Sequence, residues 1–414
     1  MKVLVYGLNY APEKVGIGKF TGETVDWLSK AGYEVRVVTT PPYYPEWAVG
    51  RGYSACRYKV DTIAGATVHR CPVWVPRSKS AIGRSLLQLS FALSSLLPML
   101  RLTLIWKPDV VWTTMPSVVA LPVAIVAARL SGARSWVHVQ DLEVDAAFEL
   151  GLVKSPRIKR WILACERSLL SAFDTVSTIT RSMQAQLQAK KIATEPMLFP
   201  NWVDLNFITR TQGSPTLRQE LGISQDSFVA LYSGNIGEKQ GIEDLIAVAR
   251  LLLSQKEVLV VICGDGAGRV RLERMAADVP NVRLLPLQPI ERLTELLNMA
   301  DIHLLPQKRQ VGDLVMPSKL GGMLASGRPV VAGAIPGTEL ADEVEDCGIV
   351  VPPGDPVAMA EAVRTLIADP ARRAAMGDNA VLQAQRHWNK VTVLKAFEMH
   401  LREPKKPAAC GSTT

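Results

Sequence analysis

The sequence predicts an α/β protein of two doubly wound parallel-sheet domains facing a cleft, and three observations carry that prediction. Short Val-rich runs alternate with amphipathic stretches from the first residues onward, as in KVLVYG, the stretch 20–31 and the run 33–39. The alternation lapses into a polar, irregular stretch at 199–215 and restarts at FVALYSG, 228–234. At 414 residues the chain also exceeds the roughly 250–300 residues at which a single core stops growing.

The first elements form a βαβ unit. An apolar run of this length, closed by Gly7, has the pattern of a strand buried on both faces. Gly32 ends the following helix and the run 33–39 begins the next strand. The alternation continues with a strand at 67–71, a long helical stretch from Ser85 that turns at Pro98 if it is a core helix, a strand at 109–113, a helix through Ala128, and strands at 135–139, 175–179 and 196–199. Past a boundary near residue 204, strands are expected at 228–233, 259–263, 282–285, 302–305, 329–332 and 348–351. Strands separated by helical crossovers imply parallel sheets. Residues 403–414 are expected to be a flexible tail.

The net charge of +8 is spread along the chain without basic runs, which argues against nucleic acid and for a smaller anionic partner. Six widely spaced cysteines without a CxxC pair read as reduced thiols. Met1-Lys2 leads directly into a strand, without the pattern of a signal peptide, so a cytoplasmic placement is expected. No metal site is expected, because the five histidines are scattered and no D-x-D loop has ligands near it.

Chemistry concentrates at strand ends. The strand at 228–233 leads into Ser233-Gly234-Asn235-Ile236-Gly237-Glu238-Lys239-Gln240-Gly241 and then a helix expected at 242–253. Glycines let backbone N–H groups approach phosphate oxygens, and Lys239 adds a full charge. Ser318, after Pro317, reads as a second helix start suited to phosphate, and Lys308 and Arg309 stand at another strand end. In the first half, WVHVQDLE ends a strand with His138, Asp141 and Glu143 directed at the expected cleft.

Taken in order, a G-x-G loop at Gly16 and Gly18, H-x-x-D at His138 and Asp141, P-N-x-V-D at 200–204, S-G-x4-K-x-G at 233–241, G-D-G at 264–266 and P-S-K with G-x-P-V-V at 317–331 resemble the retaining GT-B glycosyltransferases of family 4. The resemblance covers nearly the whole chain. YGLNYAPEKVGIGKFTGE, PPYYPEW, NIGEKQG and PSKL look particularly like transferases of colanic acid and related exopolysaccharide synthesis. It implies an acceptor-binding Rossmann-like domain at 1–203 and a nucleotide-sugar-binding one at 204–385. A C-terminal crossover helix at 386–402 would be anchored by Trp388.

The resemblance also distributes roles. Gly16 and Gly18 lie in a loop over the donor diphosphate, which Gly234, Lys239 and Ser318 also bind. Gly264, Asp265 and Gly266 meet the nucleotide and sugar. A front-face retaining route follows, in which the departing phosphate helps deprotonate the acceptor while Lys239 offsets its charge and His138 and Asp141 orient the reactants, assisted by Glu143.

Two departures stand out. Asn235 occupies the place of a phosphate-binding Arg, so Lys308 or Arg309 is expected to supply that charge. The family's E-x7-E pair falls on Leu314 and Gly322, leaving Asp313 as a partial substitute.

The aromatic run with Tyr43, Tyr44 and Trp47 is expected either to stack on the acceptor sugar or to form a rigid loop. The stretch 77–107, with Arg77, Lys79 and Arg84 before a Leu-rich run, reads either as a helix lying on an anionic membrane surface, suited to a lipid-linked saccharide acceptor, or as a core helix. A dinucleotide-dependent dehydrogenase is disfavoured, because no G-x-G-x-x-G follows the first strand. A GT-B nucleotide-sugar epimerase and a non-catalytic, nucleotide-binding subunit of a polysaccharide-synthesis complex are the competing readings. GDP and UDP donors both stay open, with GDP-fucose the first to test.

Overall fold

The computed structural model describes residues 1–76, 80–149, 155–211, 214–237, 240–255, 257–308 and 316–405. Lys239, Arg309 and Asp313 lie outside the described residues, as do Arg77, Lys79, Leu314 and the tail beyond 405. The chain divides into two compact units, Met1–Pro200 with Leu394–Thr414, and Asn201–Val393. The division falls after Pro200 rather than Val203 because Val203 is tied into the second unit. Its N–H donates to Trp388 O at 2.7 Å, and its carbonyl accepts Lys390 N at 3.1 Å. The same pairing keeps residues 386–393 in the second unit, so the return to the first begins at Leu394.

The first unit is built on an eight-stranded sheet of order β3-β4-β2-β1-β5-β6-β7-β8. Its strands are β1 (Lys2–Tyr6), β2 (Glu34–Thr39), β3 (Lys59–Ile63), β4 (Ala66–Arg70), β5 (Val110–Met115), β6 (Arg134–Val139), β7 (Thr175–Thr178) and β8 (Met197–Leu198). Only β3 with β4 pairs antiparallel. Every residue of β5 and β6 is buried, as expected for parallel strands covered on both faces. The edge strand β3 was not expected from sequence; KVDTI alternates charge with apolar residues and is largely exposed, so no apolar run betrays it.

The long helix spans Ala81–Arg101 and continues as a wider π turn, Leu102–Trp106, to Lys107 at φ 55°. Pro98 lies inside this helix and does not end it. Proline lacks the N–H that would bond the carbonyl four residues back, and Tyr58 Oη donates to that carbonyl, Ser94 O, at 2.8 Å instead. The helix is apolar on both sides, with polar groups set among the apolar ones on its inner face. Ser95 faces inward and shares a hydrogen bond with Tyr6 Oη at 2.8 Å, and Gln88 is also buried. Ile82, Leu93, Leu97 and Ile105, by contrast, are 75%, 61%, 68% and 76% exposed.

At the other end of the sheet, Phe397 of the last helix (Lys390–Arg402) enters the first unit's core, stacked on Phe199 at 4.5 Å and tilted against Trp112 and Trp136. Arg134 caps that helix by donating to the carbonyls of His400 and Glu403.

The second unit has a six-stranded, all-parallel sheet of order β11-β10-β9-β12-β13-β14. Here β9 is Phe228–Ser233, β10 Val258–Cys263, β11 Val282–Leu285, β12 Ile302–Leu305, β13 Val330–Gly333 and β14 Gly348–Val351. Successive strands step one way from β9 and then resume on its other side at β12. That reversal is a topological switch point, the place where open α/β sheets hold ligands beyond the carboxyl ends of their strands.

Candidate active site

In the second unit the switch point opens at Ser233, the last residue of β9. The turn after it is fastened to the loop after β10: Gly234 N donates to Cys263 O at 3.0 Å, Ile236 N to Asp265 O at 2.8 Å, and Gly268 N to Ile236 O at 3.0 Å. The contact demands glycine at two positions of the loop after β10. A Cβ at Gly264 would lie 1.9 Å from Gly234 O, and one at Gly266 2.5 Å from Ile236 O; both residues also have positive φ, 158° and 151°. Gly264 and Gly266 therefore shape the turn that carries Gly234 and Asn235. Asp265 is exposed and turns one carboxylate oxygen onto Gly266 N at 2.7 Å. The Asn235 side chain is exposed while its carbonyl accepts Tyr232 Oη at 2.7 Å.

Lys308 follows β12 and reaches the far end of this turn. Its Cγ is 3.4 Å from where a Cβ of Gly241 would stand; burial and then Glu243 raise the Asp244 pKa, and the Lys308 charge acts the other way. Ser318 is exposed before the seven-residue helix Lys319–Ala325, and its side chain makes no capping bond. A side chain at Gly322, where the family pattern has its second glutamate, would meet Leu297 and Ile208 at 3.4 and 3.5 Å. That position belongs to the packing face of the helix.

Sequence reasoning missed Lys319. Its Nζ donates to Tyr232 Oη at 2.6 Å, lies 4.2 Å above the Tyr232 ring and sits 3.2 Å from the Cβ position of Gly234. Burial lowers its pKa to about 7. The signal was present in PSKL, but nothing in that run says that its lysine reaches back under Gly234.

In the first unit the loops after β1, β2 and β6 gather a polar cluster. Glu13, also missed, joins the glycine loop to the aromatic loop. Its Oε1 accepts Tyr43 N and Tyr44 N at 3.1 and 3.0 Å, and its Oε2 accepts Asn9 Nδ2 at 3.0 Å. Gly18 leaves room for it, since a Cβ there would come within 2.5 Å of Glu13 Oε2. Gly16, at φ 60°, packs beside the Tyr44 ring. Burial raises the Glu13 pKa, opposed by its three hydrogen bonds and by Arg70. Of the three aromatic candidates only Tyr44 is exposed; Tyr43 is buried edge-on to Trp47, which packs on the core.

Glu143 is half-buried and accepts Gln88 Nε2 at 3.1 Å. Its pKa is raised, first by burial and then by the charge of Asp141, with Gln88 and Arg84 acting the other way. Asp141 is exposed. A carboxyl tuned upward beside a second carboxylate is suited to holding a hydroxyl proton. His138 is different. Its ring is 1% exposed, bonds Ser177 Oγ through Nδ1 at 2.9 Å and packs with Trp112 and Phe199. Burial pushes its pKa down to about 3, so the imidazole is a neutral core group. No cluster of three metal-ligating side chains occurs among the described residues.

Comparison with known proteins agrees with this architecture. Residues 15–202 match the family described as Glycosyl transferase 4-like domain, and residues 213–383 match Glycosyl transferases group 1. Over 97% of its length the chain is 41% identical to WcaI of Escherichia coli (strain K12), all of which it covers and which is provisionally described as a colanic acid biosynthesis glycosyl transferase. Sucrose-phosphate synthase from Thermosynechococcus elongatus superposes with a TM-score of 0.74 at 17% identity, over 97% of this chain and 98% of that one. HepE of Anabaena, in complex with UDP and glucose, gives 0.70 at 16% identity, over 97% and 99%. At such identities the structural likeness speaks for the fold alone, whereas the full-length match to WcaI carries the lineage. The chain belongs to the GT-B glycosyltransferases of family 4, in the company of the colanic-acid-type transferase WcaI.

Proposed function

We propose that the chain transfers a sugar, with retention, from a nucleotide-diphosphate-sugar to a lipid-linked saccharide during exopolysaccharide assembly. The observation that carries the donor half is the glycine turn at the β9/β12 switch point, locked against Gly264 and Gly266. The UDP and glucose in HepE support the same donor class, and the 41% identity to WcaI supports the polymer class. Lys308 and Lys239 offset the charge of the departing diphosphate in place of a metal, and Asp141 with Glu143 receives the acceptor hydroxyl. GDP-fucose is the first donor to try.

The acceptor half rests on the outward Leu face of the helix Ala81–Arg101, which with the turn after it forms a segment, Ile82–Trp106, long and apolar enough to cross a membrane. Since Leu87, Phe91 and Met99 pack inward on the core, the segment lies along the unit's surface, the geometry of a helix resting in a membrane interface. Such a face supports a location on the cytoplasmic side of the membrane that holds the acceptor.

The test is turnover of purified protein with GDP- and UDP-sugars and a lipid-linked saccharide extract, followed by mass and anomeric analysis of the product. Transfer with retained configuration that survives EDTA is expected. Epimerised donor without acceptor, or nucleotide binding without transfer, would replace the assignment with an epimerase or a non-catalytic subunit.

A further inference from the structure

Lys319 brings an amine to the edge of the glycine turn with no acidic partner among the described residues. A lysine ammonium has three N–H donors. One goes to Tyr232 Oη at 2.6 Å, and that phenol passes its own proton on to Asn235 O at 2.7 Å. Burial raises the Tyr232 pKa, so the oxygen facing Lys319 is a neutral phenol. Among the described residues no carboxylate is paired with Nζ, whose pKa is shifted by burial with no acidic group acting on it. A partly buried charge is held only where something pairs it.

The space around it is specific. The ammonium stands 3.2 Å from the point where a side chain of residue 234 would begin. Gly234 thus leaves its carbon-free side open towards Nζ, in the turn whose neighbouring residue, Asn235, offers no charge. The remaining two donors have no acceptor among the described residues, and a phosphate seated on the turn would supply oxygens for both. Burial lowers the lysine's pKa to about 7, and an anion seated beside Nζ would favour the charged form.

The geometry points to Lys319 as a ligand of the donor diphosphate, supplying from beneath Gly234 the positive charge that Asn235 does not. This rests on the nucleotide-sugar reading above and adds to it a residue and a direction of approach. Lys308, at the Gly241 end, then serves the opposite side of the same anion.

The experiment is calorimetric titration of the full chain with UDP, GDP and the corresponding nucleosides, comparing wild type with Lys319→Met, Lys319→Gln and Lys319→Arg, together with thermal unfolding of each without ligand. Loss of a charge-assisted contact is expected to weaken the preferred diphosphate about 10- to 100-fold in the Met and Gln variants. Nucleoside binding should stay within about twofold and Arg should restore part of the loss. Removing an uncompensated cation should leave the unliganded melting temperature unchanged or higher. Diphosphate affinity equal to wild type in either neutral variant overturns the inference, as does a lowered melting temperature with diphosphate and nucleoside affinity lost together. Failure of the wild type to bind UDP or GDP would instead overturn the donor reading.

Discussion

Glu143 combines a functional position with a thermodynamic cost. Its folded-state pKa is raised by burial above the ordinary 4.5, so the ionised form is disfavoured in the folded chain. The sign follows: stability associated with this group is greatest below about pH 4.5 and is lost as pH rises through the raised value. Glu143→Gln keeps an oxygen to accept from Gln88 and removes the charge. It should therefore raise the melting temperature at pH 7.5, have little effect at pH 4, and lower kcat/KM for transfer about 100-fold, the scale of a lost proton acceptor. Equal melting temperatures at both pH values would remove the electrostatic part of this account. His138 shows what sequence alone does not separate. H-x-x-D reads as chemistry, yet the first of its two residues is packed among aromatic rings while the second is exposed. Burial depends on which residues arrive from elsewhere in the chain, here Phe199 and Phe397.

Among the elements, the helix Ala81–Arg101 was legible in extent but not in orientation. The sequence left open whether its Leu-rich run lies on a membrane surface or in the core; the structure turns Gln88 and Ser95 inward together with Leu87, Phe91 and Met99, and Leu93 and Leu97 outward. Leu93→Asp with Leu97→Asp should leave thermal stability within about 0.5 kcal/mol, as surface changes do, and abolish co-sedimentation with anionic liposomes. Retained binding would assign the apolar face to something other than lipid. The short helix Lys319–Ala325 depends on one close contact. A Cβ at Gly321 would fall 2.5 Å from Trp388 Cε3, and the indole Nε1 is held by Glu343 Oε2 at 3.2 Å. Gly321→Ala is expected to destabilise by about 1–3 kcal/mol through overpacking, measured by urea unfolding, and Trp388→Phe should recover part of it. An unchanged unfolding midpoint would show that the helix shifts freely.

For the molecule as a whole, the parallel-sheet architecture was readable because strands buried on both faces leave near-continuous apolar runs, as β5, β9 and β10 do. The edge strand β3, the precise ends of the two units and the reach of Lys319 were not, since each depends on pairing or packing between distant segments. Each unit also carries one buried neutral imidazole, His138 in the first and His303, bonded to Ser326 Oγ at 2.9 Å, in the second. Both pKa values are lowered by burial from 6.5 to about 3. Unfolded chains take up these protons first, so stability present above about pH 6.5 is lost as pH falls towards 3, by up to about 1.4 kcal/mol per pH unit for each imidazole. Glu13, Glu143 and Glu166, with raised values, offset part of that loss. His303→Asn should flatten the dependence of unfolding free energy on pH between 7 and 5; an unaltered slope would show that the imidazole does not control it. The contact between Gly321 and Trp388 reaches beyond stability into ancestry. Two positions 67 residues apart in sequence share one volume, so a lineage can enlarge the first only after shrinking the second, and the pair should be inherited as a unit wherever a lysine is kept at position 319.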